Sequence, residues 1–271
     1  MLRGWSSYDE VAVTYDRLAV PLLFGPIARD LVALLALPAG AAVLDVGTGT
    51  GSGALAAWKA AGTGAFVVGL DLSAGMLHLA RSKGLPALAR GMVPGLPFAD
   101  GVFDRVLANF VLNHVTSYQG ALTDMVRVLR PGGRLGVSAW GPLQNECRQL
   151  WRELAEAAAG KDALSAAVRE AIPWEEWFSD PAHLRAAFED AGLLQVTVAE
   201  REYSTRMAIA DYLSMREVSM GGRFVSEFLG PAEWEVFRAA VRDAFHARFP
   251  EPIVDTLPVY LCAGTKRLHR E

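Results

Sequence analysis

Between Val43 and Gly53 the chain reads VLDVGTGTGSG, and this stretch limits what the rest can fold into more than any other. An aliphatic, partly β-branched run (Ala42, Val43, Leu44, Val46) enters a turn with glycine at 47, 49, 51 and 53, and an Ala-rich segment from Ala54 to Ala61 leaves it. Strand, tight turn, helix is the front end of a nucleotide-binding α/β unit. Glycine permits φ > 0 in the turn and removes side chains where a backbone must approach a ligand closely. The turn is therefore expected to hold a cofactor against its peptide groups.

Spacing narrows the cofactor. A dinucleotide fingerprint, G-x-G-x-x-G, needs its last glycine where the helix N-terminus meets a pyrophosphate. Counted from Gly47 that place holds Ser52, and counted from Gly49 it holds Ala54, a tolerated variant. Spacing alone leaves NAD open. Asp45, two residues before the first glycine, tilts the choice, because a carboxylate at the strand end suits a cationic amino group better than a phosphate. S-adenosylmethionine carries an ammonium and a sulfonium and no phosphate. A second apolar strand, Phe66 to Leu70, leads to Asp71 and to a helix with Ser73 as its expected N-cap. Asp71 stands where an acidic side chain takes both ribose hydroxyls in a doubly wound sheet.

Four stretches in order, VLDVGTGTG, VVGLDLSAGML, LPFADGVFDRVLANFVLNHV and MVRVLRPGGRLGVSAW, resemble successive motifs of the class I S-adenosylmethionine-dependent methyltransferases. The resemblance is nearest to the small-molecule group that includes ubiquinone and menaquinone C-methyltransferases, and it covers roughly residues 41–140. It implies a Rossmann-like, seven-stranded, mostly parallel sheet with helices on both faces, the last strand antiparallel, and helical cover insertions. S-adenosylmethionine is the expected cofactor and S-adenosylhomocysteine the product. The expected cofactor contacts are Tyr15, Asp45, Gly47, Thr48, Gly49, Gly51, Asp71, Leu72, Met76, Met92, Val93 and Asn109. The resemblance implies an acidic residue after the first glycine of the loop that follows the third strand, for the adenine amino group. Here Met92 follows Gly91. Met92 and Val93 offer apolar and thioether packing on the base instead.

The fourth strand, Phe103 to Asn109, ends at the carboxyl edge where open α/β sheets bind ligands. The Asn109 carbonyl can hold the methionine ammonium there. His114 faces the methyl acceptor in this reading and is the candidate general base, since an unperturbed imidazole titrates near neutral pH. A packed or exposed histidine that orients the loop is the bland alternative.

The chain has 271 residues, 52% of them hydrophobic, and a formal charge of −4, so it carries no basic field for a phosphate backbone. Nucleic acid is not an expected partner. Two cysteines, Cys147 and Cys262, give neither a disulfide framework nor a metal-ligand pattern. The apolar stretch Leu18 to Leu37 is interrupted by Pro21, Pro26, Arg29 and Asp30, which argues against a membrane span and a signal peptide. A cytoplasmic enzyme with a small-molecule acceptor and no metal, and a homodimeric assembly, are the expectations.

Residues 1–40 are expected to form a helical lid, with one helix over Ser7 to Asp16 presenting Tyr8, Val11 and Tyr15, and a second over Gly25 to Leu37. Residues 41–140 form the cofactor-binding core, with a third strand at Ala87 to Arg90, a helix at Tyr118 to Leu129 ended by Pro131 and Gly132, and a fifth strand ending at Trp140. Residues 141–271 complete the sheet and carry the cover. Helices are expected at Leu143 to Ala159, Lys161 to Ile172, His183 to Ala191, Ile209 to Met220 and Pro231 to Phe249, the last two joined by Gly221 and Gly222. Strands fall at Leu193 to Tyr203 and Pro252 to Lys266. Trp174, Trp177, Phe178, Met215, Met220, Phe224 and Phe228 are either a roof over an apolar pocket or plain core, and Trp140 either lines that pocket or caps the sheet. Methyl transfer to a small lipophilic or aromatic molecule is the leading reading. An NAD-linked oxidoreductase, or a protein that binds the cofactor without transferring methyl, are its rivals.

Overall fold

The structure is a computed structural model, and it describes residues 7–143 and 145–268. Seven strands form one sheet in the order β3-β2-β1-β4-β5-β7-β6. They are β1 (Ala42–Val46), β2 (Phe66–Asp71), β3 (Ala87–Arg90), β4 (Phe103–Asn109), β5 (Leu129–Trp140), β6 (Leu193–Met207) and β7 (Ile253–Lys266). The first five pair in parallel, and β7 runs antiparallel to both β5 and β6. This is the expected Rossmann-like topology. Strand order reverses at β1, so the carboxyl ends of β1 and β4 open a crevice at the switch point.

Two apolar layers cover the sheet. On one face α1 (Ala12–Leu35) and α2 (Ser52–Ala61) bring Ile27, Leu31, Leu35, Ala54 and Ala57 onto β1, β4 and β7. On the other, α4 (Tyr118–Val128) and α8 (Pro181–Asp190) bring Leu122, Met125, Leu184 and Phe188 onto the same strands' opposite faces. The helix α3 (Ala74–Ser82), capped by Ser73, follows β2. A separate core belongs to the cover: α5 (Glu146–Ala159), α6 (Lys161–Ala171), α9 (Ile209–Glu217) and α10 (Met220–Arg248) pack Trp151, Ala155, Leu164, Ile209, Val225 and Phe245 together. The short α7 (Glu175–Phe178) bridges cover and sheet.

Several boundaries differ from those expected. The N-terminal helix begins at Ala12 and runs without a break to Leu35, because Tyr15–Phe24 is wound as a π-helix that accommodates Pro21. Its C-terminal half, Gly25–Leu35, is part of the sheet's helix layer. By length and composition alone α1 could cross a membrane, with a mean hydropathy of 1.8, and half of that window is buried inside the protein. The interruption expected from Pro21 and Pro26 is absent. Pro131 and Gly132 lie within β5, where Leu129 pairs with Phe103 and Arg134 with Arg105, so the extra residues bulge out of the ladder. β6 extends to Met207. Gly221 and Gly222 lie inside α10, which instead kinks at Gly230 (φ 74°) ahead of Pro231.

The loop from Gly91 to Gly101, which carries Met92, is fixed from below by α4. Asp124 accepts the amides of Gly95 (2.6 Å) and Leu96 (2.7 Å) and the Arg127 Nε (2.9 Å). Burial alone would raise the pKa of this carboxyl, but the Leu96 and Gly95 amides and Arg127 bring it below the ordinary 3.8. Asp124→Ala is expected to destabilise the fold by about 1–3 kcal/mol. The sign of the pH dependence follows from the depressed value: the contribution is full above the ordinary carboxylate range and is lost as pH falls through the folded value. The gap between the two proteins in denaturant unfolding should therefore narrow in acid.

Candidate active site

The glycine turn owes its shape to left-handed backbone at Gly47, Gly49 and Gly51 (φ 64°, 55° and 91°). Gly53 is needed for a different reason. It is helical, and a Cβ there would lie 2.7 Å from both Asp45 Oδ2 and Leu107 Cδ1. Tyr15, Asp45, Gly47, Thr48, Gly49, Thr50, Ser52, Gly53 and Asn109 line one cavity at the carboxyl edge of the sheet.

Asp71 closes one side of it. Its Oδ2 accepts the Gly49 amide (2.8 Å) and its Oδ1 the Ser73 amide (2.9 Å). Burial raises its pKa, and the Ser73, Gly49 and Leu72 amides oppose that rise. A carboxylate offers about four lone-pair sites, so with three amides engaged acceptor capacity remains for a ligand hydroxyl.

Asp45 borders the cavity and is 1% exposed, accepting the Thr48 hydroxyl (2.7 Å) and the Ala54 amide. Burial pushes it up to about 7. The side chain thus ties the turn to the first turn of α2. Asn109 is also engaged: its Oδ1 accepts the Ser138 hydroxyl (2.6 Å), which in turn receives the Phe110 amide (2.9 Å). That anchorage holds Phe110 in a left-handed conformation (φ 58°), a strained state for a non-glycine residue of the kind that collects at functional sites.

Leu72 and Met92 stand exposed (41% and 58%) just beyond the adjacent strands β2 and β3. Met76 and Val93 do not share that surface. Both are buried, at 3% and 8%, so their side chains belong to the packing behind it. The N-terminal segment lies over the other side. Tyr15 stacks on Phe24 (5.0 Å) and meets Tyr8 edge-on (6.2 Å), and Tyr8 meets His114 edge-on (5.9 Å). Three polar ties hold this segment down: Asp9 accepts Ser73 Oγ (2.6 Å) and the Gly75 amide (2.8 Å), Asp16 accepts Thr50 Oγ1 and Lys83 Nζ, and Arg223 donates to the Ser7 carbonyl.

His114 presents exposed surface, yet desolvation pushes its imidazole down to about 4, aided by the Arg223 charge and opposed by a hydrogen bond to the Ala171 carbonyl. Tyr15 and Glu175 are half-buried by area, and desolvation raises the pKa of both. The premise of an imidazole near 6.5 therefore fails, and at neutral pH His114 is a neutral hydrogen-bonding group and a weak base.

The expected roof is mostly packing. Phe178 is fully buried, Trp174 Nε1 donates to the Val115 carbonyl (2.9 Å), and Trp177 lies outside, stacked on His183 (3.6 Å). Phe228 is exposed, and Met220 Sδ receives Arg223 Nη2. Trp140 caps the sheet, stacked on Phe110 (3.9 Å). Sequence reasoning did not single out Thr50, which lines the cavity from within the glycine turn, or Lys83 and Arg223, which reach the N-terminal segment only through tertiary contacts and carry no local signal.

The comparisons agree with this geometry. A family model described as "Methyltransferase domain" matches residues 44–137. A demethylmenaquinone methyltransferase of Mycobacterium sp. (strain KMS) is 34% identical over 203 residues, 70% of this chain and 85% of that protein. One from Tropheryma whipplei (strain Twist) is 42% identical over 136 residues, 48% of this chain, which spans about half (56%) of that relative's length. A solved S-adenosylmethionine-dependent methyltransferase of Thermotoga maritima has the same fold, with a TM-score of 0.57 at 17% identity over 97% of this chain and 99% of that one. The chain belongs to the class I S-adenosylmethionine-dependent methyltransferases. Within that class its sequence is similar to the demethylmenaquinone methyltransferases.

The unfolded chain takes up a proton at His114 near the ordinary 6.5, whereas the folded chain does so only near 4. Between those values the unfolded state binds more protons, so folding loses stability as pH falls through that window. In histidine-selective NMR the His114 ring should show no titration from pH 8 to pH 5.5 in the folded protein, with its midpoint near 4. A midpoint close to 6.5 would show that the cleft is wet.

Proposed function

We infer that this chain transfers a methyl group from S-adenosylmethionine to a small lipophilic or aromatic molecule. One observation carries the reading. The Gly49 amide and the Asp71 carboxylate meet at 2.8 Å, so the glycine turn and the end of the second strand form one continuous cradle. The acceptor capacity left on Asp71 suits a ribose hydroxyl, and the backbone at Gly47, Thr48 and Gly49 provides the close approach. Leu72 and Met92 form an apolar slot for the adenine, with Tyr15 over the opposite side. The Asn109 backbone, held by Ser138, faces the methionine end of the cavity. Family membership decides against a nicotinamide dinucleotide.

Bound there, S-adenosylmethionine supplies an electrophilic methyl on a sulfonium with a neutral leaving group. The protein's own task is alignment and exclusion of water, which can supply up to about 7–11 kcal/mol. Tyr8, Tyr15 and the cover helices enclose the acceptor side, and His114, held neutral, offers that acceptor a hydrogen-bonding partner. A quinol or other phenolic acceptor with an apolar tail is the reading the relatives' names support. Incubation with the methyl donor and a panel of quinols and phenols, followed by mass spectrometry, should reveal product heavier by one methylene. An inert panel together with absent S-adenosylhomocysteine binding would overturn the assignment.

Asp71→Ala is expected to weaken S-adenosylhomocysteine binding by more than tenfold in calorimetry, since each hydrogen bond to a charged group contributes about 1.5–3 kcal/mol. Unchanged affinity would place the cofactor elsewhere.

A further inference from the structure

Asn109 ends β4 and lines the cavity, and it is held by a side chain that does not line it. Ser138, on β5 and fully buried, stands opposite Asn109 in the ladder. Its hydroxyl donates to Asn109 Oδ1 (2.6 Å) and accepts the Phe110 amide (2.9 Å), so its single proton is committed to one residue and a lone pair to the next. Asn109 Nδ2 reaches the Phe24 carbonyl of α1 at 3.5 Å.

The consequence lies in which way the intervening peptide points. In the sheet β4 runs between β1 and β5. The Asn109–Phe110 peptide is trans, so its N–H and its carbonyl point in opposite directions. With the Phe110 N–H drawn to Ser138 on the β5 side, the Asn109 carbonyl faces the β1 side, where the glycine turn begins. The two segments are in direct contact there: a Cβ on Gly47 would lie 2.4 Å from Val111 Cγ2. Phe110 itself is left-handed, and a non-glycine residue keeps that backbone only where its surroundings over-determine it. Its ring is accordingly gripped as well, stacked on Trp140 and edge-on to Phe24 at 5.4 Å.

We propose that Ser138 is a positioning residue for the methyl donor: by fixing the Asn109–Phe110 peptide, it aims the Asn109 carbonyl at the α-ammonium of S-adenosylmethionine. The proposal rests on the methyl-transfer reading and deepens it, assigning the amino-acid end of the donor to the Asn109 side of the cavity and leaving the ribose to Asp71. An ammonium has donors only, and a carbonyl is an acceptor only, so the two are matched. A carbonyl oriented in advance needs no reordering when the ligand arrives. Without the Ser138 hydroxyl, the Phe110 N–H and Asn109 Oδ1 lose their shared partner, and the peptide is free to turn away.

The test compares two ligands that differ only at the end in question. S-adenosylhomocysteine carries the ammonium, whereas 5′-methylthioadenosine keeps the adenosine and the thioether and lacks the amino-acid part. In Ser138→Ala, calorimetry should show S-adenosylhomocysteine affinity reduced by about tenfold. Affinity for 5′-methylthioadenosine, read by displacement of S-adenosylhomocysteine where it is weak, should change by less than about twofold. Ser138→Cys keeps the volume with a weaker donor and acceptor, and it should lose the same preference to a smaller extent. A purely structural role would weaken both ligands alike. Parallel loss of the two, an unchanged preference for S-adenosylhomocysteine, or unfolding of both variants overturns the proposal. Failure of both ligands to bind the wild-type protein instead overturns the methyl-donor assignment.

Discussion

The hydrogen bond from the Gly49 amide to Asp71 joins two pieces of chain that the sheet brings level but does not itself connect. Parallel pairing of Val46 with Leu70 sets the carboxyl ends of β1 and β2 side by side. From there the turn after β1 and the residue ending β2 are within reach of each other. The left-handed glycines allow the turn to bend back so that its amide points at the carboxylate. Asp45 performs the complementary task from below, receiving the Thr48 hydroxyl and the Ala54 amide. Two carboxylates, one under the turn and one beside it, thus fix a loop whose backbone is otherwise the most permissive in the chain.

Enclosure depends on that fixed loop. Asp16 reaches Thr50 in the turn and Lys83 after α3, while Asp9 substitutes for backbone partners at the start of α3. The N-terminal segment is therefore docked on the very residues that form the cradle. Arg223, from the cover, holds the same segment through the Ser7 carbonyl and the face of Tyr8 (4.5 Å). The N-terminal segment is thus tied by polar contacts to the cradle on one side and to the cover on the other. A ligand has to pass between elements held by exposed and half-buried ties, the kind whose individual worth is small.

Where the sequence was legible, the reason is locality. The strand, glycine turn and helix from Ala42 to Ala61, and the strand leading to Asp71, are specified by residues within a few positions of one another. Hydrophobic periodicity and turn chemistry act at that range. The cover was only partly legible. Its helices are amphipathic enough to be placed, but Gly221 and Gly222 read as a break and are helical, because Ser219 caps the helix just before them and packing against Trp151 favours small residues. Pro21 read as an interruption and is absorbed by a wide turn. The burial of Asp45 and the place of Trp140 were not legible for a common reason: sequence gives a residue's chemistry and not its burial.

Burial also decides the chemistry of the cleft. The same loss of water that depresses His114 raises Tyr8, Tyr15 and Glu175, since desolvation disfavours whichever form is charged. An enclosed site for a sulfonium reaction gains from this. The reactants carry charge that the products lose, so a poorly hydrated pocket favours the direction of transfer, provided the acceptor can shed its proton inside.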